Sequence, residues 1–223
     1  MQLNQYIDHT VLKPTTTIAD IEKLCSEAIQ YSFAAVCVPP PFVKKAKALT
    51  SGTPVRVATV IGFPFGYSAV EAKIAEVLLA VVDGADELDI VINLIALKNG
   101  DWEYLANEIN HLMPVARQQE KVVKIIIESG VLTTKEIAKC CELYGAAGID
   151  YLKTSTGYAE TGATVAAVQQ MRENLPAEVQ IKASGGIRTY EFGRQLVEAG
   201  ATRLGCSASV AIVQGAPATS DGY

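Results

Sequence analysis

Histidine is scarce in this chain: His9 and His111 are the two present in 223 residues, and no Cys/His spacing matches a zinc site. A metal-dependent lyase or hydrolase would need ligands that are missing, so no metal is expected. No GxSxG occurs, which removes the nucleophile elbow of serine hydrolases. No apolar run approaches the roughly 20 residues of a membrane-spanning helix. The N-terminus has no basic stretch followed by an apolar core, so no secretory signal is expected. A net charge of −5 and a pI near 5.2 leave no basic footprint for nucleic acid or an anionic membrane. The five cysteines (Cys25, Cys37, Cys140, Cys141 and Cys206) are odd in number and scattered, which suits buried thiols in a reducing, cytoplasmic setting. There is no low-complexity segment, and no linker before the last ten residues. One domain over 1–223 is expected, ending in a flexible tail at 214–223.

What is present is alternation. Hydrophobic residues make up 49% and charged ones 19%, enough apolar content for a large core. Short β-branched or apolar runs occupy 34–38, 55–63, 86–94, 122–130, 149–157, 179–186 and 202–209, with a weaker one at 6–10. Near-continuous apolar strands are buried on both faces, as in a parallel sheet. Helical patterns lie between them. Ile18, Ile21, Leu24, Cys25, Ala28 and Ile29 fall on one helical face. Ser68 with Glu71, and Thr133 with Glu136, have capping-box spacing. Gly84, Gly148 and Gly200 each stand where a helix gives way to a strand, the place for a left-handed residue. Eight such units of about 28 residues predict a single-domain (β/α)8 TIM barrel. The alternative, a doubly wound open sheet, lacks a GxGxxG after its first clear strand.

The strands carry charge where a barrel wants aliphatic side chains: Asp8, Asp89, Lys124 with Glu128, Lys153 and Lys182. Buried charges are costly unless paired. Lys153 and Lys182 are on consecutive strands. Two nearby ammonium groups, both buried, depress at least one pKa. A lysine neutral near pH 7 can attack a carbonyl and form a Schiff base, with Asp89 placed to move protons. The alternative is that each lysine pairs with a carboxylate such as Asp89 or Glu128 to brace the barrel. Two lysines on neighbouring strands, each followed by a polar glycine-containing loop, favour catalysis. Those loops are Thr154-Ser155-Thr156-Gly157 and Ser184-Gly185-Gly186, with Arg188 beyond; Gly205-Cys206-Ser207 ends the last strand. Their backbone N–H groups and hydroxyls suit an anion, and in barrels the loops after strands 7 and 8 commonly hold phosphate. His111 sits in a helical pattern and reads as a surface or packing residue.

The segments YIDHTVLKP, VATVIGFPFG, ELDIVIN, VKIIIESG, YLKTSTG and IKASGGIRT occur in order and span about Tyr6 to Ser209. Together they resemble the deoxyribose-phosphate aldolase family. The resemblance implies a class I aldolase on a (β/α)8 barrel, without metal or organic cofactor. It would reversibly cleave 2-deoxy-D-ribose 5-phosphate to acetaldehyde and D-glyceraldehyde 3-phosphate. The resemblance further implies that Lys153 forms the Schiff base, that Lys182 perturbs it and that Asp89 is the acid/base. It implies that Asp8, Thr10, Cys37, Lys124 and Thr156 line the substrate pocket. Gly157, Gly185, Gly186, Arg188, Gly205 and Ser207 would bind phosphate. Tyr223 either reaches the active site, as tyrosine tails in the family can, or ends a solvated tail. The implied partners are a phosphorylated sugar, aldehydes and further copies of the chain, a dimer foremost. The sequence departs from the family at Pro39-Pro40-Pro41, Tyr158 and Ala208-Ser209, which bears on phosphate affinity and substrate breadth. Two other functions remain open: a barrel isomerase or synthase using a carboxylate base, and a non-catalytic sugar-phosphate binding protein.

Overall fold

A computed structural model describes residues 1–215; Tyr223 and the rest of 216–223 lie outside the described residues. Eight parallel strands close into a barrel in chain order: β1 (Ile7–Thr10), β2 (Ala35–Val38), β3 (Arg56–Ile61), β4 (Glu87–Val91), β5 (Val122–Ile126), β6 (Tyr151–Lys153), β7 (Gln180–Ser184) and β8 (Arg203–Cys206), with β8 pairing back onto β1. Around them run α1 (Ile18–Gln30), α2 (Val43–Leu49), α3 (Val70–Val82), α4 (Leu94–Lys98), α5 (Trp102–Gln118), α6 (Thr134–Ala146), α7 (Val165–Asn174), α8 (Tyr190–Glu198) and α9 (Ser209–Val213). The expected single-domain (β/α)8 barrel is therefore present. The strands are shorter than their apolar runs, because several runs continue as buried, hydrogen-bonded loop. Ser129 N, beyond β5, still donates to Thr154 O at 2.7 Å.

Local signals account for much of the helical layer. Thr133 and Glu136 form the expected capping box at the start of α6. Gly84, Gly148 and Gly200 have φ of 98°, 69° and 118°, each one residue past a helix C-cap. Two expectations fail. The N-cap of α3 is Ala69, with no side-chain cap, so Ser68 lies one residue too early. Just before it, the backbone at Gly66 packs directly against the end of β4, where a Cβ would lie 1.8 Å from Ile92 O. On α1, Ile21, Leu24, Cys25 and Ala28 are buried, but Ile18 and Ile29 are exposed. These two lie at the edges of the apolar stripe, where solvent reaches them. The cap of α1 comes from Thr17 with Asp20, a pairing outside the Glu/Gln consensus.

The strand pleat divides the interior in two. Alternate residues such as Val36, Val57, Leu88, Ile90, Val123, Ile125, Leu152, Ile181 and Leu204 join the main core beneath the helices. The other set points into the lumen. There Leu12, Cys37, Ala58 and Val60, with Phe63 against them, form a separate small apolar cluster. All five cysteines are unpaired and buried. Outside the lumen, Lys73 on α3 is fully buried. It donates to Glu108 of α5 at 2.6 Å and to Val91 O at 2.7 Å, tying the helical layer to the end of β4.

Candidate active site

The lumen on the β4–β8 side is ionic. In the register, Lys153 is the Cα partner of Lys182, Asp89 of Lys124, and Lys182 of Arg203. Partners in a parallel ladder point to the same face, so these side chains converge inside the barrel. Lys153 Nζ and Lys182 Nζ both reach the same oxygen, Asp89 Oδ2, at 2.7 Å each. Lys124 Nζ donates to Asp89 Oδ1 at 2.7 Å and lies 2.6 Å from Glu87 Oε2. Lys182 also donates to Asp8 Oδ2. Arg203 Nη1 donates to Asp8 Oδ1 at 2.6 Å and approaches Glu87 at 3.4 Å.

These contacts separate the lysines chemically. Burial lowers the affinity of Lys153 for its proton. Asp89 opposes this, the charge of Lys182 adds to it, and the net shift is downward. Burial also disfavours the charge on Lys182, but Asp8 and Asp89 outweigh it and hold this ammonium well above the ordinary lysine value. Lys124 is raised in the same way by Asp89 and Glu87. Burial penalises the Asp89 carboxylate, yet Lys124, Lys153 and Lys182 overcome that and keep it ionised far below the usual range. Asp8 is likewise lowered, by Lys182 and Arg203 above all, against the cost of burial. The geometry thus provides a lysine with weakened proton affinity, a charged lysine beside it, and one carboxylate oxygen touching both.

Other expected site residues fall around this cluster. Cys37 sits in the apolar lumen cluster, and burial raises its thiol to about 11. Thr10 is buried and donates to Asp8 O at 2.8 Å. Thr156 N lies 3.2 Å from Glu128 Oε2, and its hydroxyl donates to the same oxygen. Burial raises the Glu128 carboxyl, with the Thr156 hydrogen bonds opposing it. Tyr158 spans the barrel mouth: its hydroxyl donates to Leu12 O at 2.8 Å and its ring meets Phe63 edge-on at 5.4 Å.

The proposed phosphate positions divide into two groups. Gly157, Gly185 and Gly186 have φ of 92°, 86° and 76°, in the loops after β6 and β7. Gly186, Arg188 and Ser207 are exposed. Ser207 lines a cleft of about 580 Å³ with Thr10, Lys13 and Ala208. Gly205, by contrast, is buried within β8 rather than in a loop. A Cβ there would lie 2.9 Å from Ser184 Cβ and 3.2 Å from Lys182 Cε, so the glycine makes room for both side chains, the lysine's stem among them. His111 is exposed, and its Nδ1 lies 2.7 Å from Asn107 O. Among the described residues, no group of three or more His, Cys, Asp or Glu could hold a metal ion. No helix among them is long and apolar enough to cross a membrane.

Glu87 and Arg203 are the lumen residues that sequence reasoning passed over. For Glu87 the signal was available: it stands two positions before Asp89, and a strand repeats its facing every two residues, whereas Arg203 stands two before Gly205, which was expected in a phosphate loop.

The sequence matches the DeoC/LacD family aldolase profile over residues 3–215. It is 51% identical over 97% of both chains to a deoxyribose-phosphate aldolase of Thermococcus gammatolerans. A solved structure from Coccidioides immitis, described as a candidate deoxyribose-phosphate aldolase, superposes with a TM-score of 0.92. The two are 41% identical, over 96% of this chain and 85% of that one. A tetrameric deoxyribose phosphate aldolase from Aeropyrum pernix superposes with a TM-score of 0.88 at 31% identity, covering 95% of this chain and 89% of that one.

Proposed function

The chain belongs to the DeoC/LacD family of aldolases, and from that premise we propose that it cleaves 2-deoxy-D-ribose 5-phosphate reversibly through a Schiff base on Lys153. The observation that carries this reading is the shared oxygen: Lys153 and the firmly charged Lys182 meet at Asp89 Oδ2, 2.7 Å from each. Lys153, with its weakened hold on a proton, attacks the C1 aldehyde, and loss of water from the carbinolamine gives a protonated imine. The imine draws in the electron pair of the C2–C3 bond as the C3 hydroxyl gives up its proton. D-glyceraldehyde 3-phosphate leaves and an enamine remains on Lys153. Protonation at C2 and hydrolysis release acetaldehyde and regenerate the amine. Lys182 keeps Lys153 uncharged, and Asp89, in contact with both amines, passes protons between them and the substrate through water.

Support for this over an isomerase with a carboxylate base comes from the lysines: Lys153 and Lys182 converge on one buried carboxylate oxygen and the net shift of Lys153 is downward, an arrangement that a carboxylate base does not require. The apolar cluster of Leu12, Cys37, Ala58 and Val60 offers the two-carbon fragment a wall without competing donors. Asp8, Thr10, Lys124 and Thr156 shape and charge the rest of the pocket. The phosphate is assigned to the backbone N–H groups around Gly157, Gly185 and Gly186 with Arg188 and Ser207, while Gly205, within β8, seats Lys182 instead. The left-handed conformation of the three glycines and the exposure of Gly186, Arg188 and Ser207 support that assignment. The whole chain is taken as one catalytic domain without an organic cofactor. It is placed in the cytoplasm on account of its unpaired thiols, and assembled as a homo-oligomer with a dimer as its unit.

The test is borohydride reduction of the protein incubated with 2-deoxyribose 5-phosphate or acetaldehyde, followed by digestion and mass spectrometry. The expected result is a reduced adduct on Lys153, absent from a folded Lys153→Ala variant that has lost turnover. No adduct on the folded wild type would overturn the reading.

A further inference from the structure

The ion pairs of the lumen do not balance. Three carboxylates, Asp8, Glu87 and Asp89, meet four cations, Lys124, Lys153, Lys182 and Arg203, in one contiguous cluster. Six of these side chains are at most 3% exposed, and Arg203 is 11% exposed. The contacts are unequally shared. Lys182 touches Asp8 and Asp89, Lys124 touches Glu87 and Asp89 and reaches Asp8 at 4.0 Å, and Arg203 touches Asp8 and Glu87. Lys153 has a single contact, on an oxygen that Lys182 also occupies. A buried charge without its own counter-ion is the costly one.

We propose that Arg203 is a positioning residue for the aldol reaction: by occupying Asp8 and Glu87 it makes four cations share three carboxylates, and Lys153, the most weakly paired of the four, is the one left uncharged. The inference rests on the Schiff-base reading above. Arg203 acts through Asp8 and Lys182 and does not touch Lys153. Without it three lysines would face three carboxylates, and all three could keep their protons. The surrounding groups do not remove the imbalance. Arg203 faces Asp8 of β1, Glu87 of β4 and Tyr151 of β6, whose hydroxyl is 3.4 Å away and whose ring centroid is 5.5 Å from the guanidinium. Arg56 of β3 approaches Glu87 at 3.6 Å and adds a further positive charge, but it is 55% exposed and screened. Lys153 feels Asp89, Lys182, Cys37 of β2 and the Glu128 carboxyl beyond β5. Burial holds the thiols of Cys37 and Cys206 neutral. The lowered proton affinity of Lys153 agrees with the count.

The experiment is the pH dependence of kcat/KM for cleavage of 2-deoxyribose 5-phosphate, with borohydride trapping on Lys153 measured across the same pH range. Arg203→Gln should move the acidic limb up by about one pH unit, roughly a tenfold loss below the limb. Glu87→Gln should move it down. The Arg203→Gln/Glu87→Gln pair restores the charge difference and should bring the limb back, and Arg203→Lys should return it toward wild type. A purely structural role would make the double variant worse than either single one and would shift neither limb by sign. An unmoved limb in Arg203→Gln, or shifts of the same sign in both single variants, would overturn the inference while wild-type trapping on Lys153 left the Schiff-base reading standing. Should Arg203→Gln fail to fold, the step from Glu87→Gln to the double variant decides: a limb that moves up supports the role of Arg203, and one that stays in place overturns it. A wild type that neither turns over nor is trapped would sink both.

Discussion

Replacing Lys182 with leucine tests the electrostatics of the site most directly. Both ammonium nitrogens are 2.7 Å from one oxygen, so they lie no more than about 5.4 Å apart, twice that distance. At a separation of about 5 Å and an effective dielectric of about 20, two unit charges repel by about 3 kcal/mol, equivalent to about two pH units. Lys153 is 3% exposed, so solvent screens little of this. In Lys182→Leu the repulsion is gone and Asp89 Oδ2 serves Lys153 alone, while Lys124 keeps Oδ1, so the pKa of Lys153 must rise. The sign follows: a lysine is a nucleophile only above its pKa, so the acidic limb of kcat/KM moves to higher pH, by about two units. Near neutral pH the loss should be about 100-fold, and raising the pH should recover the nucleophile's share of it. The assay is cleavage of 2-deoxyribose 5-phosphate followed through NADH-coupled reduction of acetaldehyde, from pH 5 to 10. An acidic limb that stays in place, with activity lowered uniformly at every pH, would refute the reasoning.

The buried pair of Lys73 and Glu108 predicts a stability effect with no catalytic partner. Lys73→Met leaves the Glu108 carboxylate buried beside Val91 O without its cation, and should cost about 3–5 kcal/mol by urea denaturation. Adding Glu108→Leu should recover most of it, and a double variant no better than the single one would contradict the pairing. At the mouth, Gly185→Ala forces a Cβ to 3.0 Å from Gly162 Cα at a φ of 86°. It should raise KM for the 5-phosphate while leaving KM for free deoxyribose nearly unchanged; equal effects on both would separate this loop from phosphate binding. Wild type itself should prefer the 5-phosphate strongly in kcat/KM, and equal rates with free deoxyribose would withdraw the phosphate assignment altogether.

The repeat of strand and helix was legible because burial on both faces writes a strand as an unbroken apolar run. The glycines at 84, 148 and 200 mark helix ends because few other residues adopt the left-handed conformation there. Lys153, Lys182 and Asp89 stood out by the same logic, as charges where the solvent is absent. A local signal failed at the start of α3: the spacing of Ser68 and Glu71 suits a capping box, but the helix is entered at Ala69, just beyond the segment in which Gly66 packs against the end of β4. The resemblance in six segments supplied residue roles, yet it said nothing of how the charges share their partners.

That sharing depends on closure and register. Arg203 meets Asp8 across 195 residues of chain, and Lys182 meets Asp8 across 174, because β8 hydrogen-bonds to β1. The register then sets Lys153 beside Lys182 and Asp89 beside Lys124. A linear sequence shows that charged residues occupy strands, since burial and periodicity are local properties. It does not show which carboxylate each cation will find, or which lysine will go short, because a Coulomb interaction depends on distances that exist only once the barrel has closed.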